Sequence, residues 1–229
     1  MRRWYIAITL VIILGISFAI IIPTLVNSSI QSTVIETLRR DFGLKQCAYV
    51  RVDPGILSPL YGSVDRVYIE CPSGGLSSMR AKSLVITLRG IKFDLKKLIF
   101  ERELTIREVD DATARLVVGD DDVNRYIADN YRDLRGWTVS FKRDTVVASA
   151  DIEAIGRLDV LFRPRVKGDK LVLELIDAKF ARIGHLGLRE AQIWIRDIEL
   201  DVPVSNLPFG MRVNRVLIQE GQLVVTARN

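Results

Sequence analysis

The chain has one histidine, His185, among 229 residues, and two cysteines, Cys47 and Cys71. A histidine-based nucleophilic triad would therefore rest on a single residue flanked by glycines in "RIGHLGLRE", with no evident partner. No zinc-ligand spacing, no phosphate-cradling GxxxxGK[ST] and no GxSxG nucleophile turn occurs. Carboxylates are plentiful, but no pair of them stands out as an acid/base couple. The sequence thus reads as non-enzymatic and calls for no cofactor; a hydrolase acting on envelope lipid or glycan, using one or two acids or His185, is the weaker enzymatic alternative. Strong charge of either sign is also missing. With Arg2 and Arg3 set aside, 31 basic residues face 28 acids, which makes no case for nucleic acid and only hints at an anionic membrane surface.

What the chain does have is a long apolar run. From Trp4 to Ile22 there is no charged residue, and a helix of that length spans roughly 28 Å, enough to cross a bilayer. Arg2 and Arg3 precede it, so the positive-inside bias leaves the N-terminus in the cytoplasm and exports the rest. Residues 1–27 are read as a single-pass anchor in the cell membrane and 28–229 as one extracytoplasmic domain. A cleaved signal peptide, cut after Ser17-Phe18-Ala19, has the same layout and the same export. A buried core helix is the third reading of the run.

Past Pro23 the apolar residues Ile30, Val34, Leu38 and Phe42 recur at i, i+4, predicting a short amphipathic helix that ends at Gly43. Its stripe needs cover, from the domain core or from lipid. From residue 45 the period changes to two. Val67 and Ile69 alternate with Arg66, Tyr68 and Glu70; Leu84, Ile86 and Leu88 with Val85, Thr87 and Arg89; and Leu104 and Ile106 with Glu103, Thr105 and Arg107. "DPGILSPLYG" and "CPSGG" supply turns. "GDDDVNRYIADNY" predicts a second helix, started by Asp120 to Asp122 at its positive end; a calcium loop would need spaced ligands.

Strands resume at "WTVSF" and "TVVASADIEA". Leu158, Val160 and Phe162 then run down to a turn at Lys167-Gly168-Asp169, and Leu171, Leu173 and Leu175 return. "LREAQIWIRDIELDVP" fits a helix better than a strand, and Glu220-Gly221 turns the final hairpin. Cys71 shares a side with Val67 and Ile69, whereas Cys47 shares one with Tyr49 and Arg51, so a disulfide and two separate thiols are both open.

Long antiparallel strands must twist, and many of them together curl. The expected fold is α+β: a transmembrane helix followed by a strongly curved antiparallel sheet wrapped around one or two helices, leaving an apolar trough where helix does not fill it. The trough is expected to be lined by Leu84, Ile86, Leu88, Leu104, Ile106, Leu158, Val160, Phe162, Leu171 and Leu173. Lys92, Lys96 and Lys97, close in sequence to Phe93, Leu95 and Phe100, are placed to meet anionic headgroups.

Five segments, in order, resemble the LmeA-like phospholipid-binding family: "LYGSVDRVYIECPSGGLSSMRAKSLVITLRGIKFDL", "ARLVVGDDDVNRYI", "GRLDVLFRPRVKGDKLVLEL", "LPFGMRVNRVLIQEGQLVVT" and the exported N-terminus. The resemblance implies a tubular lipid-binding fold with an apolar lipid-holding cavity, outside the cytoplasmic membrane, and a phospholipid as partner. It carries no catalytic motif. The retained apolar N-terminus suits a tethered carrier of the bacterial envelope rather than one that diffuses between membranes. The rival reading is an envelope scaffold whose sheet face binds another protein.

Overall fold

The computed structural model describes residues 24, 28–32, 35–36, 49–55, 58–72, 75–76, 79–101, 103, 105–152, 156–167, 170–180, 184–185 and 210–229. The apolar run Trp4–Ile22, the stripe residues Val34, Leu38 and Phe42, Cys47, Leu104 and the "LREAQIWIRDIELDVP" segment lie outside them. No helix among the described residues is long and apolar enough to cross a membrane.

The first helix, α1, is helical at 24, 28–32 and 35–36. It is followed by β1 (Tyr49–Asp53), a 3-10 turn (Ser58–Tyr61), β2 (Ser63–Pro72), the two-residue strands β3 (Gly75–Leu76) and β4 (Met79–Arg80), β5 (Ser83–Phe93), α2 (Leu95–Phe100) and β6 (Ile106–Gly119). Next come α3 (Asp120–Asn130), β7 (Trp137–Lys142), β8 (Thr145–Ile152), β9 (Gly156–Lys167), β10 (Lys170–Phe180) and β11 (Gly184–His185). The chain closes with β12 (Arg212–Gln219) and β13 (Gln222–Arg228).

The strands form two antiparallel sheets and a small ribbon, where alternation alone suggested one curled sheet. The first sheet has six strands in the order β1-β2-β5-β6-β13-β12, and the second has five in the order β11-β10-β9-β8-β7. The second sheet is therefore an excursion of the chain between β6 and β12, and the C-terminal hairpin returns to pair with β6. Period-two patterning fixes which side of a strand is apolar but not which strands pair, so it could not reveal the division. "CPSGGLSSMR" is more than a turn, since β3 and β4 pair within it.

Each sheet has its own buried apolar face. The six-stranded sheet contributes Val67, Ile69, Cys71, Leu84, Ile86, Leu88, Ala112, Ala114 and Leu116, and Ile30 of α1 belongs to the same cluster at 1% exposure. The α1 stripe is thus covered by the core at the residue where it is described; burying one isoleucine contributes about 1.5–3 kcal/mol. The five-stranded sheet contributes Val139, Phe141, Val146, Ala148, Leu158, Val160 and Phe162, joined by Ile127 of α3 and Ile218 of β12. Val123 and Leu223 pack against both clusters and form the seam between them.

Two irregularities shape these faces. In β2, β5 and β6 the inward side changes parity at one level: Val64, Ile91 and Val109 pack inward, two outward residues follow in each strand, and then Val67, Leu88 and Ala112 pack inward. Gly90 sits at this level with φ +58°, and a β-carbon there would collide with the Asp110 carboxylate, so only glycine fits. In β10 a register shift between Leu175 and Asp177 leaves Ile176 as the extra residue. It keeps Ala178 and Phe180 on the same face as Leu173 and Leu175.

Cys71 is buried and disulfide-bonded, and the only other cysteine of the sequence is Cys47. A cross-link over a loop of this length stabilises by about 3 kcal/mol.

Candidate functional site: the apolar faces and the seam between them

The structure distributes the expected trough residues over both clusters. Leu84, Ile86, Leu88 and Ile106 belong to the six-stranded sheet, and Leu158, Val160, Phe162 and Leu173 to the five-stranded one. Leu171 pairs with Val166 in the β9–β10 ladder, and Leu104 lies outside the described residues. The others are shared between the two clusters, which adjoin at Val123 and Leu223 and at Ile218 of β12.

The two faces differ in how completely they are covered. On the six-stranded sheet the central side chains are sealed, with Leu88 at 0% and Ile86 at 1% exposure. On the five-stranded sheet coverage falls off toward one side. Val160 of β9 is fully buried, whereas Leu173, Leu175 and Phe180 on the neighbouring β10 are half-buried although they point to the same face. Apolar side chains that share a face with the core yet remain partly open form a lip, and a lip of this kind can accept an apolar ligand by the same burial that stabilises the core.

The free edge of the five-stranded sheet is sealed by α3. Asn124 lies on the helix so that its amide copies a strand: Oδ1 accepts from Val139 N at 2.6 Å and Nδ2 donates to Val139 O at 2.8 Å. Asp120 Oδ1 accepts from Phe141 N at 2.8 Å, and Gly221 N, in the β12–β13 turn, donates to Phe141 O at 3.0 Å. Asp122 accepts from Gly119 N at 3.1 Å and satisfies a donor at the helix start. Asp120 and Asp122 thus have structural partners. Among the described residues no group of three or more His, Cys, Asp or Glu is placed to hold a metal.

The expected headgroup lysines surround α2, a helix the alternation did not reveal. Its signal was present in "KFDLKKLIF": Asp94 caps the helix, accepting from the backbone N–H groups of Lys96 at 3.0 Å and Lys97 at 3.2 Å. The Asp94 carboxyl is held below the ordinary aspartate value, first by the Lys97 N–H and next by the Arg107 guanidinium. Lys92 is already engaged, with Glu108 at 2.9 Å and Asp110 at 3.3 Å, and these hydrogen-bonded acids raise its pKa. Lys96 is exposed and Lys97 partly buried. Of the three lysines, Lys96 is the most accessible to a ligand. His185 falls on β11 opposite Lys179.

A family model described as LmeA-like phospholipid-binding matches residues 27–228, nearly the whole chain. The chain belongs to the LmeA-like phospholipid-binding family. That match supports a phospholipid as the ligand and makes lipid binding the coarse function of the fold just described. No curated protein and no solved structure matches the chain.

Proposed function

We propose that this protein is a membrane-tethered, extracytoplasmic member of the LmeA-like family that holds or transfers phospholipid in the cell envelope without catalysing a reaction. The observation that carries the reading is the family match over residues 27–228. Residues 1–27 act as the tether, Trp4–Ile22 crossing the cytoplasmic membrane, and the remainder works outside it.

A bound acyl chain lies against the β10 lip of Leu173, Leu175 and Phe180, on the five-stranded face beside the seam. Loss of bilayer contacts is offset by about 25 cal/mol per Å² of apolar surface covered. Lys96 and Lys97 sit at the Phe93 end of β5, ten residues along the strand from the seam end at Ser83, about 33 Å. The phosphate they meet is therefore one of the bilayer surface and not that of a lipid held at the lip; Lys92, bound to its two acids, orders that end of the sheet.

The test is native mass spectrometry with lipid extraction on residues 28–229 purified without detergent. One phospholipid per chain is expected, and Leu173→Trp, which fills the lip, is expected to lose most of it while keeping its circular dichroism. A folded domain that carries no lipid and takes up none when it is added would overturn the reading and favour a scaffold that binds a protein partner.

A further inference from the structure

The outer face of the six-stranded sheet carries a charge imbalance that the fold does not use. Arg66 and Arg89 stand directly opposite one another in the β2–β5 register and both are exposed. Like charges in that position destabilise a sheet unless something neutralises them. The acids flanking the pair are already engaged. Asp53, opposite Arg66, binds Arg51 at 2.9 Å, and Asp111, opposite Arg89, binds Arg228 at 3.0 Å. The other acids of the face are engaged as well: Glu70 accepts from the Tyr68 hydroxyl at 3.1 Å, Asp65 from the Ser58 hydroxyl at 2.7 Å, and Glu108 and Asp110 bind Lys92. Further along the same face Arg115 and Arg215 lie in one cross-strand row with Thr226 between them, and Arg212 lies opposite Arg228. Among the described residues none of Arg66, Arg89, Arg115, Arg212 and Arg215 has an ion-pair partner.

At one end of this face the molecule projects apolar side chains. Tyr61 and Phe100 are each 82% exposed and Ile99 43%. They belong to one end because Phe93 N donates to Gly62 O at 2.8 Å, and Leu95, which opens α2, packs beside Gly62. The Arg66–Arg89 pair lies three residues back along the strands from Ser63 and Lys92, about 10 Å. Glu101 and Glu103 are exposed acids at the same end, so the excess positive charge resides on the sheet face and not on α2.

We propose that this face, with Tyr61, Ile99 and Phe100 at its end, docks on an anionic phospholipid bilayer. The inference rests on the lipid-binding reading for its choice of partner. Projecting aromatic and aliphatic side chains seat about 5–10 Å into the headgroup and acyl boundary, a depth that brings the arginine pair behind them to the phosphates. Guanidinium groups suit phosphate through paired N–H donors. A soluble polyanion would need the arginines but not the apolar end.

The test uses the full chain with a nitrobenzoxadiazole probe at Phe100→Cys, compared with the same probe at Arg143→Cys in the exposed β7–β8 turn, disulfide kept oxidised. Vesicles are phosphatidylcholine alone or with about one-third phosphatidylglycerol. A blue shift and protection from aqueous quencher are expected at position 100 on the anionic vesicles only, with position 143 unchanged. Arg66→Glu/Arg89→Glu should weaken the anionic response about 10-fold or more, while Arg125→Glu/Arg132→Glu, with the same change in net charge, moves it less than about 2-fold.

An aqueous signal at position 100 on anionic vesicles, equal loss in both arginine doubles, or tighter binding of soluble polyphosphate than of the vesicles would each overturn the proposal. Lipid extraction of the same samples separates the two readings. Docking lost in the unmodified chain with lipid retained removes this inference alone, and docking kept with no lipid removes the carrier reading alone.

Discussion

The two sheets are built from the same kind of apolar alternation, yet their half-covered residues lie in different places: at the edge strands and the α2 end of the six-stranded sheet (Val50, Val216, Ile106 and Val109), and along β10 of the five-stranded one. The six-stranded sheet buries its central residues completely and takes Ile30 of α1 into the same cluster. The five-stranded sheet buries β8 and β9 but leaves Leu173, Leu175 and Phe180 of β10 half-covered. Burial that is complete stabilises the fold and is inaccessible to a ligand. Burial that is incomplete leaves apolar area for which a ligand can compete, and the proposed carrier function places lipid contact on β10 for that reason.

The sharpest way to break the comparison is to truncate one residue on each face. Ile86→Ala, at the sealed centre, should cost about 3–4 kcal/mol of unfolding free energy, whereas Leu173→Ala at the lip should cost about 1 kcal/mol and reduce retained lipid instead. Denaturant titration and lipid extraction of both variants check this; equal stability losses would erase the distinction between the sheets. A smaller effect is expected from Asn124→Ala, which leaves Val139 N–H and C=O without partners and should cost about 1–3 kcal/mol. Amide exchange at Val139 should accelerate while exchange at Ile86 stays slow.

The smallest effect concerns Asp159, on the outer side of the five-stranded sheet. Its carboxyl is held below the ordinary aspartate value, first by the Ser149 hydroxyl, donating at 2.6 Å, and next by Arg157 at 2.9 Å. The ionised form is therefore favoured in the folded state. Its stabilisation is fully present above the ordinary aspartate value and is lost as the pH falls through the depressed one. Because the group is partly exposed, Asp159→Asn should cost under about 1 kcal/mol at neutral pH, and acid titration of both proteins should show the difference vanish.

Alternation in the sequence located the inward residues of β2, β5 and β9, the helix start at Asp120, the turn between β9 and β10 and the turn at Glu220-Gly221. It could not show that the strands divide into two sheets, because pairing depends on which edges meet and not on which side is apolar. Nor could it show the extra residue at Ile176, since Leu171, Leu173 and Leu175 continue without a break into a segment where Ala178 and Phe180 take over the inner face. The site was half legible. Its apolar residues could be named from their period, but the lip depends on what covers each strand. The engagement of Lys92 depends on Glu108 and Asp110 arriving from β6, sixteen and eighteen positions away in sequence. The apolar end at Tyr61, Ile99 and Phe100 gave no periodic signal, because α2 has only six residues.

The parity change at Asp65, Gly90 and Asp110 sets the phase of mutational tolerance. A scan of β5 that introduces charge at every position should find the odd residues permissive up to Arg89, and the even ones permissive only beyond Gly90. A library drawn with a single alternating pattern through Ser83–Phe93 would place polar residues at Ile91 and Phe93, inside the core. In this sheet the period of two has to be counted separately on either side of one glycine.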